Sequence, residues 1–294
     1  MRRRSFTEQE TSSLAIWSRR IAFFSLAATL IAIIIVRSGA LDIVPALSTL
    51  AGALVLACVA ILLAVGAGVS IWRHGSAGGR QATTALLIGF ALIAYPLYLG
   101  VKARNLPAIY DITTDPIDPP QFDAIARLRP RDANPVTYAG LYTAEQQHNA
   151  YADIEPDDTN SSAQEAYDAA MKVITKRKWR VVDARPPQAP PPVPTPRNVA
   201  IQASPARDGI IEAVARTPIL GFRDDVMVRI RPTADGARID VRSASRYGRH
   251  DLGSNAARVR NLIDDIDTVL ATPQPQKKQA PPPPQPGKGA SAKR

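Results

Sequence analysis

Cysteine is nearly absent from this chain. Cys58 is the only one in 294 residues, and it lies in an apolar run. An internal disulfide and a Cys-x-x-Cys metal site are therefore excluded. Histidine is almost as scarce: His74, His148 and His250 are widely separated, so metal-ligand spacing is missing and no metal or other cofactor is expected. Basic excess is missing from the long middle of the chain. The net charge of +10 would suit a nucleic-acid partner, but residues 102–272 hold 23 basic and 23 acidic residues. Phosphate-backbone binding needs a concentrated basic face on a folded domain, so nucleic acid is not expected.

Charge is also missing from three long apolar runs, residues 21–36, 46–72 and 82–101, with Asp42 placed only at an interface. Roughly 20 apolar residues cross a bilayer, and the first run reaches that length with residues 14–17 if Arg19 and Arg20 snorkel. Transport and proton relays need ionisable groups at membrane depth, so these spans read as an anchor. Gly52, Gly66 and Gly68 suit close helix packing. Arg2, Arg3, Arg4, Arg19 and Arg20 precede the first span, only Arg37 follows it, and Arg73, His74 and Arg80 separate the second from the third. The positive-inside rule places the N-terminus and the Arg73 loop in the cytoplasm. Three crossings then carry the remainder to the periplasmic side of a bacterial inner membrane.

Residues 102–160 carry Pro107, Pro116, Pro119, Pro120, Pro130 and Pro135, which block helix and interior strand. They predict an extended lead-in that lies along the domain. Ser161 or Ser162 caps a helix bearing Tyr167, Ala170, Met171 and Ile174 at helical spacing, closed by Lys176, Arg177 and Lys178. Strands are expected over 179–184, 209–219, 223–231 and 238–243, with a proline-rich interruption over 185–196. In the third strand Val226, Val228 and Ile230 point inward while Met227, Arg229 and Arg231 point outward. A last helix shows Val259, Leu262, Ile263 and Ile266 along one stripe. The order α, β, β, β, β, α implies an α+β fold, an antiparallel four-stranded sheet flanked by two helices on one face. The organisation is thus a membrane region (1–101), the lead-in (102–160), the α+β domain (161–271) and a disordered Pro- and Lys-rich tail (272–294).

The densest polar cluster runs from Arg242 to Asn255. Its arginines, its serines and the helix start beyond them suit an anion such as a phosphate or a carboxylate. The candidate ligand-binding residues are Arg223, Asp224, Asp225, Arg242, Ser243, Ser245, Arg246, Arg249, Asp251 and Asn255. The blander account has Asp251, Ser254 or Asn255 capping the helix and the arginines pairing with Asp224 and Asp225. Ser243 or Ser245 with His250 and Asp251 carry the letters of a hydrolytic triad, but a nucleophile elbow is missing. No catalytic residue is assigned.

Several motifs resemble a known family. Gly221-Phe222-Arg223-Asp224-Asp225-Val226, Val241-Arg242-Ser243-Ala244-Ser245-Arg246, and Asp251-Leu252-Gly253-Ser254-Asn255 with Arg258-Val259 are similar to the signature of the domain of unknown function 1499. Ile112-Thr113-Thr114-Asp115 with Pro119-Pro120 and Phe122 resembles the lead-in of members with an N-terminal membrane region. Asn160-Ser161-Ser162 stands where many members carry a cysteine segment. The resemblance implies envelope placement and no defined activity. The expectation is a membrane-anchored envelope protein whose periplasmic domain binds an envelope protein or an anionic lipid or cell-wall ligand. The alternatives are an envelope hydrolase or transferase using the 242–255 loop, and a structural anchor subunit.

Overall fold

A computed structural model describes residues 10–188 and 207–272. The expectations for the first arginines, for most of the proline-rich interruption and for the tail beyond Thr272 lie outside the described residues. Among the described residues three helices are long and apolar enough to cross a membrane: α1 (Ser13–Ser38), α2 (Ile43–His74) and α3 (Gly79–Asn105). Lipid tails are as apolar as leucine, so close packing and interhelical hydrogen bonds must hold such a bundle. Ala15 and Ala22 of α1, Ala60, Ala64 and Ala67 of α2, and Ala82 and Ala85 of α3 form one buried cluster. Ser25 donates to the Ala53 carbonyl across α1 and α2 at 2.7 Å. The tightest approach falls at Gly89, where a Cβ would collide with Ile61, whereas Gly52 and Gly68 have nothing near them. Alanine and Gly89 therefore provide the close packing expected of the α2 glycines.

The rest of the described chain runs β1 (Asp111–Thr113), α4 (Ala124–Leu128), α5 (Leu141–Ala150), β2 (Asp157–Thr159), α6 (Ala163–Lys176), β3 (Arg180–Arg185), β4 (Gly209–Arg216), β5 (Arg223–Pro232), β6 (Ala237–Ser245) and α7 (Ser254–Ala271). The strands form one antiparallel sheet in the order β1-β6-β5-β4-β3, and β2 also pairs with β6. The fold is α+β as expected, but the sheet has six strands rather than four. The two extra strands come from the proline-rich lead-in and are three residues long, too short for alternation to register. They cover the outer edge of β6. Beyond β1, the Gln147 amide accepts from Thr113 N–H at 3.1 Å and donates to Thr113 C=O at 2.7 Å, which blocks the edge as a further strand would.

One face of the sheet follows its alternation. Val226, Val228 and Ile230 join Ile211, Ala213, Ile239 and Val241 against Ala170, Val173 and Ile174 of α6 and Val259, Leu262 and Ile266 of α7. Each fully buried Ile or Leu contributes about 1.5–3 kcal/mol. A capping box starts α6: Ser162 Oγ accepts from Glu165 N–H, and Glu165 accepts from Ser162 N–H. At the β5–β6 turn Gly236 has φ of 158°, and a Cβ there would strike the Thr159 carbonyl beneath it.

The other face is not solvent. Met227, Glu212, Asp225 and Arg242 are all buried beneath the lead-in, whose Phe122 and Ile125 pack on Val214, Met227 and Ala244. Helices on one face alone, with Met227 outward, is thus corrected. The sheet is covered on both sides, and the second cover is mostly irregular chain.

β2 also introduces a pH-sensitive pair. Burial first, and then the charge and hydrogen bond of Asp267, push the Asp157 carboxyl up to about 6. The native state holds a proton that the unfolded chain releases. The associated stabilisation is full below the ordinary value near 4 and is lost as pH rises through about 6. Asp157→Asn is expected to raise the melting temperature at pH 7.5 relative to wild type and to flatten the dependence between pH 4 and 6. Thermal melts at several pH values check this, and parallel curves for the two proteins would contradict it.

Candidate functional site

The polar residues around β6 divide between the two faces of the sheet. On the helix side, Asn255 in the first turn of α7 receives the Ser243 hydroxyl at 2.8 Å, and its amide donates to Ser245 Oγ and Tyr110 C=O, both at 2.9 Å. Arg258, one turn further on, donates to Ser243 Oγ at 2.9 Å and to Asp224 at 2.5 Å. Asp251 closes this side by accepting from the Gly253 and Asn255 N–H groups, at 2.9 and 2.7 Å, which satisfies donors at the start of α7, where Gly253 holds the N-cap position. Burial raises the Asp224 and Asp251 carboxyls, opposed respectively by Arg258 and by the capping N–H groups.

On the lead-in side three buried charges hold the irregular cover. Arg242 makes a two-pronged pair with Asp111, at 3.0 and 2.7 Å. It also donates to the Pro120 and Val136 carbonyls, both at 2.9 Å, and its guanidinium lies 4.8 Å from the Phe122 ring centroid. Glu212 of β4 accepts from the N–H groups of Asp123, Ala124 and Ile125, the start of α4, at 3.0, 3.1 and 2.7 Å. Asp225 is shared by Arg129, at 2.6 Å, and Arg246, at 2.7 Å, so this group keeps one positive charge in excess.

Of the ten sequence candidates, all but Arg223 and Arg249 are therefore buried and joined in these networks. The letters of a hydrolytic triad are not assembled. Ser243 and Ser245 face Asn255, whereas His250 contacts the Ala103 carbonyl of α3 through Nε2 and receives Leu252 N–H at Nδ1. Among the described residues no group of three His, Cys, Asp or Glu side chains is placed to hold a metal.

An open polar region lies at the end of the sheet nearest the membrane helices. Arg216 and Arg223 are directly opposite each other on β4 and β5, and Arg180 of β3 stands opposite Val214 on the same face. All three are exposed, and none makes an ion pair among the described residues. Partial burial and then the cations Arg216, Arg246 and Arg180 depress the Arg223 pKa. Like charges directly opposite on paired strands are destabilising, so this crowding works against the sheet. Sequence reading missed Arg180 and Arg216. Arg216 lies just before the Arg223 motif in the chain, whereas Arg180 is brought to it only by strand register.

The β4–β5 loop beneath these arginines, residues 217–222, meets the membrane helices. Arg37 at the end of α1 donates to the Pro218 and Ile219 carbonyls, at 2.5 and 3.2 Å, and packs against Gly221, where a Cβ would come within 2.8 Å of its Cγ. Two cavities flank this joint. One, of about 220 Å³, lies between the α1–α2 turn and the domain and includes Arg37, Asp42, Asp132 and Arg223 in its walls. The other, of about 410 Å³, is mainly apolar and opens between Leu47 of α2, Tyr95 and Leu99 of α3, and Ile219 and Leu220 of the loop. Ile43, Phe222 and Tyr247 belong to the walls of both.

Fold and site together define a class: an α+β domain joined to a bundle of three membrane-length helices, with a buried charge network at its centre. The family model described as "Protein of unknown function (DUF1499)" matches residues 111–266, more than half of the chain, and the chain belongs to this family. The match begins at β1, so the lead-in that supplies Asp111 and covers the second sheet face is part of the family domain. No curated protein and no solved structure matches the chain.

Proposed function

We propose that the chain is an inner-membrane-anchored binding protein of the bacterial cell envelope. Its N-terminus is cytoplasmic, its domain periplasmic, and it takes an anionic ligand at the domain end that faces the bilayer. Orientation rests on Arg19, Arg20, Arg73 and Arg80 at one end of the helix bundle. The observation that carries the ligand reading is the group Arg180, Arg216 and Arg223. Three guanidiniums that have no carboxylate partner among the described residues crowd one sheet end, and guanidinium forks suit phosphate and carboxylate oxygens. Solvated surface arginines have no reason to stand opposite one another. Of the ten candidate residues the ligand reading thus keeps Arg223, with the buried members of the 242–255 cluster serving as support.

Glycerol phosphate titrated into the detergent-purified full chain is expected to raise its melting temperature. Arg180→Gln, Arg216→Gln and Arg223→Gln combined should abolish the rise while leaving the fold intact, since all three side chains are exposed. An equal response from wild type and the triple variant would remove the site. A periplasm-active reporter fused after Leu270 tests the orientation in the same strains, and activity from a cytoplasmic reporter instead would reverse it.

A further inference from the structure

We infer that the two adjoining cavities hold one anionic glycerophospholipid drawn from the leaflet in which α2 begins and α3 ends. Its phosphate lies at Arg37 and Arg223, and an acyl chain lies along Leu47, Tyr95 and Leu99. This inference rests on the anion reading above and names its ligand class. Three observations carry it. First, the polar and the apolar cavity adjoin through the shared walls Ile43, Phe222 and Tyr247, which puts both within the length of a single amphiphile. Second, the apolar cavity is walled by two membrane-length helices. Leu99 lies six residues before the end of α3, about 9 Å along the helix, so this wall belongs to the outermost turns of the span and faces acyl chains rather than water. Third, the charge balance favours a phosphate. Asp42 and Asp132 stand in the walls of the polar cavity, but Arg37 and Arg223 match them, and Arg180, Arg216 and the excess charge of the Arg129–Asp225–Arg246 group lie behind.

The physics divides the labour between the cavities. An acyl chain gains little by leaving the bilayer for an equally apolar cavity, so the chain cavity confers fit rather than affinity. Discrimination falls to the guanidiniums: they can hold the phosphodiester of any such lipid by charge-assisted hydrogen bonds, but their like charge disfavours a headgroup that also carries an ammonium. The β4–β5 loop is suited to the same depth: Ile219 is 42% exposed beside Pro218 and Leu220, at the level where headgroups meet chains.

The test is native mass spectrometry of the full chain, stripped of lipid in detergent and titrated with phosphatidylglycerol or phosphatidylcholine. Wild type is expected to retain one phosphatidylglycerol per chain and to hold phosphatidylcholine about tenfold less, or about 1.4 kcal/mol, because the choline ammonium meets the surrounding guanidiniums. Arg223→Gln should lower phosphatidylglycerol to the phosphatidylcholine level. Leu99→Trp, which fills the apolar cavity, should abolish retention of both lipids while the glycerol phosphate response persists. Equal retention of the two lipids by wild type, or wild-type retention by Leu99→Trp, would overturn the inference. If lipid retention fails but glycerol phosphate still stabilises the protein, the lipid inference falls and the anion reading stands. If both fail, the anion reading falls with it.

Discussion

Arg242→Met is expected to destabilise the domain by about 3–5 kcal/mol, the cost of breaking a buried ion pair from one side. Methionine keeps much of the volume between Phe122 and Tyr138 but none of the hydrogen bonds. Asp111 is left buried with no counter-charge, and the Pro120 and Val136 carbonyls lose their donor. Both Asp111 and the Pro120 carbonyl belong to the lead-in, so the loss should be local before it is global. Amide exchange is expected to accelerate over residues 111–138 while α6 and α7 stay protected. Arg242→Met with Asp111→Leu should recover most of the loss, because an apolar pair of similar volume often matches or exceeds a buried ion pair. Denaturant melts of the full chain check both parts. A single-variant loss below about 1 kcal/mol, the range of an exposed pair, would show that the network does not hold the lead-in.

Asp225→Asn carries the second large effect, and its order relative to Arg246→Met is the informative part. Asp225 is the one carboxylate between Arg129 and Arg246, so neutralising it leaves two buried guanidiniums face to face. The expected loss is about 3–5 kcal/mol or more. Arg246→Met leaves Asp225 still paired with Arg129 and should cost less, about 1–3 kcal/mol. Melting temperatures should therefore fall in the order wild type, Arg246→Met, Asp225→Asn. The reverse order would mean that Arg129 does not carry Asp225 by itself. Because Arg246 also borders the polar cavity, Asp225→Asn links the buried network to the ligand end of the domain.

The buried networks explain why the densest polar stretch of the sequence reads so readily as a site. Ser243, Ser245, Asp251 and Asn255 have the residue types of an anion loop, and those same types cap and brace a helix against a strand. Composition does not separate the two uses. The separation depends on which groups meet, and Asn255 meets Ser243 and Ser245 only when β6 and α7 pack together. His250 and Asp251 illustrate the same point. They are neighbours in the chain, yet one reaches the Ala103 carbonyl of α3 and the other the start of α7.

Some features of this protein were determined by local sequence alone. The three membrane-length helices follow from uninterrupted apolar runs, because span length is a property of consecutive residues. The helix α6, its capping box and the inward set Val226, Val228 and Ile230 follow from short-range periodicity and the chemistry of a chain end. The motif order around Arg223 and Arg242 was sufficient to place the chain in its family. Only the tertiary structure decided what Met227, Arg229 and Arg231 face, since alternation reports that two faces differ and not what covers the second one. That cover is proline-rich chain without periodicity, held by Glu212, Asp225 and Arg242 through partners roughly 90 to 130 residues away in sequence. The crowding of Arg180, Arg216 and Arg223 was decided there too, because strand register alone brings three dispersed arginines to one end of one sheet.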